Sequence, residues 1–155
     1  MTSEEIRQTI AEFLALLKSE TSNDERERKL AFVLDKLALA YHFIEYDFDE
    51  KNYPDAPRED YAKLYALVGN KFPNFGLYNQ AHRISKDIGI NENNSIGDAI
   101  DDIVDIATDL SEVIYCWENN SVDNALWQFK FSFESHWENH LRGLQLYLCA
   151  LKIDS

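Results

Sequence analysis

The chain has 155 residues, 45% hydrophobic and 13% aromatic, with only 5 Gly and 3 Pro; that suffices for one core over residues 1–155 and is too little turn chemistry for many short strands. Its 15 basic and 28 acidic residues leave a net charge of −13, which repels phosphate backbones and anionic lipid and favours a basic protein surface or cations. The start Met1-Thr-Ser-Glu-Glu lacks a leader pattern, and no stretch approaches the ~18 apolar residues of a spanning helix, so a cytoplasmic chain with no nucleic-acid or membrane partner is expected.

Thr2 and Glu5 form a capping-box pattern, and Ile6, Ile10, Phe13, Leu14 and Leu17 follow at helical spacing, predicting a first helix over 2–20. Ser22, Asn23 and Asp24 restart the chain, and Leu30, Leu34, Leu37, Tyr41 and Ile44 mark a second helix. From Glu45 to Pro57 the periodicity fails and a surface loop is predicted. Tyr61, Leu64, Tyr65, Val68 and Phe72 define a third helix that Pro73 ends. Residues 74–94 read as irregular, with one short helix around 80–88. Ser95 with Asp98 starts a fourth helix, whose seam runs Ile96, Ile100, Ile103, Ala107, Leu110, Ile114 and Trp117.

Ser121 caps a long fifth helix to about Lys152, with Val122, Leu126, Phe129, Phe133, Trp137, Leu144, Tyr147 and Leu151 on one face and Trp127, Phe131, Leu141 and Leu148 on another. A helix apolar on two faces is normally central, so the predicted architecture is an all-α bundle of about five helices around this C-terminal one. Cys116 and Cys149 fall inside helical patterns and read as reduced core residues.

Two constellations could carry chemistry. On the fourth helix Asp98, Asp101, Asp102 and Asp105, continued by Asp109 and Glu112, place carboxylates three and four apart, the spacing with which bundles hold divalent metals. Most of this stripe lies opposite the apolar seam, so it reads first as a solvated face unless another helix covers it. On the fifth helix His136 and His140 stand four apart, as on metal-binding helices, although the order His-Trp-Glu-Asn-His differs from H-E-x-x-H. Both fall beside Phe133 and Trp137, so a core histidine hydrogen-bonded to a neighbour is the simpler reading, with Asp101 and Glu134 as the acids to check. His136, His140, Trp137 and Glu134 form the candidate functional cluster; Asp98, Asp101, Asp102 and Asp105 are the candidate metal ligands. The stretch Asp47-x-Asp49-x-Lys51 lacks the glycine and closing acid of a calcium loop, and no phosphate loop, nucleophile elbow or zinc spacing is present.

Three stretches, Phe72-Pro-x-x-Gly-Leu-Tyr78, Gly97-Asp-Ala-Ile-Asp-Asp-Ile-Val-Asp-Ile106 and Ala125-Leu-Trp-x-Phe-x-Phe-Ser-Phe-Glu-Ser-His-Trp-x-x-His140, resemble a bacterial family described as domain of unknown function 5063. The resemblance spans nearly the whole chain and implies a helical bundle with no assigned reaction and no transferable catalytic residue.

With no complete catalytic motif, the balance leans away from an enzyme. The leading expectation is an acidic interaction module, an adaptor, inhibitor or immunity-like protein, docking a basic protein without a cofactor. The alternatives are a metal-dependent phosphohydrolase using the fourth-helix aspartates with His136 and His140, and a homodimeric subunit that buries the spare face of the fifth helix.

Overall fold

The computed structural model describes residues 1–155. Helix α1 (Ser3–Leu16) begins at the anticipated capping box: Thr2 Oγ1 accepts from the Glu5 amide (3.1 Å) and Glu5 Oε2 accepts from the Thr2 amide (2.6 Å). Helix α2 (Asn23–Tyr41) starts one residue after its cap Ser22 and packs on α1 through Leu30, Leu34 and Leu37, all fully buried. Between them, Arg26 is 4% exposed and donates five hydrogen bonds, to Ser19 Oγ, Ser19 O, Thr21 O, Asn23 Oδ1 and Lys71 O. One guanidinium thus ties the α1–α2 turn to the end of helix α3 (Tyr61–Lys71).

The loop after α2 is pinned near the start of helix α5 (Val122–Ser132), where Asp49 Oδ2 accepts from Tyr53 Oη (2.5 Å) and from the helix-capping Ser121 Oγ (2.5 Å). Those two bonds, the larger effect from Ser121, hold the half-buried Asp49 carboxyl below its ordinary range.

Residues 74–94 are not a short helix. Strand β1 (Leu77–Ala81) pairs antiparallel with β2 (Asn94–Asp98), in the register Leu77↔Asp98, Tyr78↔Gly97, Asn79↔Ile96. A twelve-residue arm, 82–93, separates the strands where a two-residue turn would have announced a hairpin, so the pairing leaves no local signal. Ser95 and Ile96 therefore belong to β2 and Ile96 is exposed; helix α4 (Ala99–Asn119) starts later, capped by Asp98 Oδ1 accepting from the Ile100 amide (2.9 Å).

Helix α4 is the most enclosed element, touching α1, α3, α5 and the C-terminal helix α6 (Glu138–Asp154). The anticipated long C-terminal helix is a continuous rod, α5 then α6, but a single π turn, Phe133–Trp137, interrupts it, with the Glu138 amide donating to Phe133 O. Phe129, Phe133, Trp137, Leu141 and Leu144 of the rod are fully buried, whereas Phe131 is exposed, so its second face is only partly covered. Cys116 is buried as anticipated, and Cys149 is exposed instead. No helix is long and apolar enough to cross a membrane.

Candidate metal centre

The acidic stripe of α4 does not face open water. The rod lies along it, and Asp102 is only 4% exposed. Burying a carboxylate is costly unless donors replace its hydration, and Asp102 has two: His140 Nδ1 stands 2.8 Å from Oδ1, and Tyr78 Oη donates to Oδ2 at 2.6 Å. Because a carboxylate can only accept, the proton in the first contact sits on Nδ1 of His140.

His140 Nε2 lies 3.2 Å from Asp105 Oδ2, so the imidazole is flanked by acids on both sides. The Asp102 bond, reinforced by Asp105 against the opposing effect of burial, raises the His140 pKa above its ordinary 6.5. Burial pushes the Asp105 and Asp109 carboxyls up. His136 repeats the pattern one turn earlier, with Nδ1 2.6 Å from Asp109 Oδ2. The two imidazoles stand edge to face, ring centres 5.0 Å apart.

The π turn supports this arrangement. Its wider turn is closed by Trp137, whose Nε1 donates to the buried Ser132 Oγ (3.0 Å), and it carries His136 into the same stretch of α4 as His140. Two sets of ligand atoms converge within 4.8 Å: Asp105, His136 and His140, and Asp101, Asp102 and His140. Two imidazoles and one carboxylate suit a first-row divalent ion such as Zn²⁺ or Fe²⁺ better than Mg²⁺. In the first set each histidine has its Nδ1 engaged by its own acid, the outer partnership that fixes ligand orientation in metal sites.

The remaining residues singled out in the sequence fall in different places. Asp101 accepts from Tyr61 Oη, and Asp98, besides capping α4, accepts from Tyr65 Oη (2.6 Å). Asp98, Asp101 and Asp102 are therefore each met by a tyrosine; burial, then the bond to the acid, raises the pKa of Tyr61 and Tyr78, and the bond to Asp98, then burial, raises that of Tyr65. Glu134 does not join the cluster; it is exposed and accepts from Tyr41 Oη (2.6 Å) on α2. Trp137 is a core residue. By spacing Asp109 is only a member of the stripe, and Tyr78 falls in the irregular stretch 74–94; the hydrogen bond of each runs between elements distant in sequence, so spacing carries no sign of it.

The principal grooves lie elsewhere. The larger, about 520 Å³, runs between α2 and α6 past Asp35 and Leu148, and the next, about 460 Å³, is bounded by α1, α3 and α4 around Leu64 and Ala107.

Comparison with known proteins agrees with this architecture. Protein BF1032 from Bacteroides fragilis, known from a crystal structure, superposes with a TM-score of 0.72 at 16% identity, over 96% of this chain and 90% of that one, a likeness of fold. No curated protein matches the chain. The model of the family described as "Domain of unknown function (DUF5063)" matches residues 2–154, and the chain belongs to that family.

Proposed function

We propose that this chain is a divalent-metal protein in which Asp105, His136 and His140 are the ligands and Asp109 and Asp102 hold the two histidines. The observation that carries the reading is the duplicated Asp–His contact, 2.6 Å at His136 and 2.8 Å at His140, on two histidines that each offer a ligand atom within 4.8 Å of the other and of Asp105. Three protein ligands leave a coordination position free, and an ion held that way activates water for hydrolysis. Phosphate esters are the substrate class we assign to it: the ion would supply, at the site alone, the positive charge that a chain of net charge −13 otherwise lacks.

Thermal unfolding of metal-stripped protein with Zn²⁺, Mn²⁺, Mg²⁺ and Ca²⁺ tests the reading. An ion that binds only the folded state adds about 2.7 kcal/mol at 100 times its Kd. A shift with Zn²⁺ or Mn²⁺ that disappears in folded His140→Ala and Asp105→Asn protein supports it and justifies a phosphoesterase assay. Absence of a shift with every ion removes it.

A second reading, docking of a basic protein surface, is supported by the charge itself, 28 acidic against 15 basic residues. Such docking decays over about 8 Å at physiological ionic strength. Its mark is a partner released by salt; a partner retained equally in high salt excludes the electrostatic form.

A further inference from the structure

The hairpin bears none of the proposed ligands, yet it places a side chain against Asp102, the acid that holds His140. Tyr78 leaves β1, crosses its partner strand at Gly97, and reaches α6 at Gly143, one helical turn beyond His140. Both glycines are needed for this path: a Cβ on Gly97 would fall inside contact distance of the Tyr78 ring, and a Cβ on Gly143 would stand 2.6 Å from Tyr78 Oη. The ring is further held against Tyr147, centres 5.1 Å apart. At the end of this slot the hydroxyl donates to Oδ2 of Asp102, whose other oxygen receives His140 Nδ1–H.

We infer that Tyr78 is a positioning residue for His140, acting through Asp102. A carboxylate bonded through one oxygen only can swing about its last torsion, whereas two donors on different elements fix its plane. The fixed plane selects the imidazole orientation that presents Nε2 toward Asp105. The hairpin thereby sets the geometry of a centre whose ligands all belong to α4 and the rod. The consequence for metal affinity rests on the function proposed above; the consequence for the His140–Asp102 bond does not.

The experiment compares wild type with Tyr78→Phe, Gly143→Ala and Tyr65→Phe, each checked for folding by circular dichroism. Tyr78→Phe keeps the ring and removes the donor. Gly143→Ala keeps the tyrosine and displaces its hydroxyl. Tyr65→Phe is the control, because its hydroxyl serves Asp98, outside both ligand sets.

In metal-free protein, the His140 Nδ1–H proton, followed by nitrogen-15-edited NMR, exchanges faster with solvent in Tyr78→Phe and Gly143→Ala than in wild type or Tyr65→Phe. In calorimetric titration with Zn²⁺, the same two variants lose about tenfold in affinity, the low end of the cost of removing an outer partner. Unchanged proton exchange in both variants overturns the inference, whatever the metal does. If Zn²⁺ binds no version of the protein, the metal reading fails by itself and the exchange rates still decide the role of Tyr78.

Discussion

Asp102 and His140 show how a single buried pair controls its surroundings. Asp102→Ala leaves His140 and Tyr78 without their shared acceptor, and because breaking a buried pair exposes the cost of its desolvation, the expected loss is about 3 kcal/mol in urea unfolding. The pair also gives stability a pH dependence of definite sign. The folded-state pKa of His140 is raised above 6.5, so its contribution is fully present below 6.5 and is lost as pH rises through the folded value. Asp105 and Asp109, also raised, act in the same sense in a lower window that opens at their ordinary 3.8. The stability of metal-free protein should therefore fall as pH rises above 6.5, and His140→Gln should flatten that part of the curve; a slope of the opposite sign in wild type would contradict the assignment.

The elements are joined by polar contacts that no periodicity reveals. Arg26 joins the α1–α2 turn to the end of α3 with one planar group, and Arg26→Lys, which offers a point charge in place of the fork, should cost about 2 kcal/mol by taking the donor from the half-buried carbonyls of Thr21 and Lys71. The Trp137–Ser132 bond spans the π turn; Ser132→Ala strands a buried indole N–H and should cost about 1–2 kcal/mol. Both are read from the midpoint of denaturant unfolding at unchanged slope, and a value within error of wild type in either variant would show that the contact carries no net stability. The starts of α1 and α2 were legible in the sequence because their caps, Thr2 and Ser22, and the apolar spacing that follows are local signals; α1 nevertheless stops at Leu16, short of the predicted 20, and the Asp60 cap of α3 carried no distinguishing pattern. The hairpin was not, since its pairing partners are separated by the 82–93 arm, and the fourth helix was begun too early for the same reason.

For the whole molecule, a net charge of −13 opposes compaction by self-repulsion. Stability should rise with added monovalent salt as these charges are screened, measured as the unfolding midpoint across a salt series; a midpoint that falls with salt would show that attractive pairs such as Lys36–Glu12 and Lys71–Glu20 outweigh the repulsion. Part of the charge is tempered inside the fold, where the acids of α4 meet two histidines and three tyrosines.

The sequence by itself determined the helical class, the starts of α1 and α2, the long C-terminal helix and the two groups of residues worth attention, the α4 aspartates and the His136–His140 pair, because caps, periodicity and i, i+4 spacing are properties of neighbouring residues. Only the tertiary structure decided that these two groups meet. A stripe opposite its own helix's apolar seam reads as solvated until another helix covers it, and the packing of the rod on α4 buries Asp102 and assigns Asp109 to His136 and both Asp102 and Asp105 to His140. Tyr78 entered for the same reason: its path between Gly97 and Gly143 joins three segments that nothing local connects.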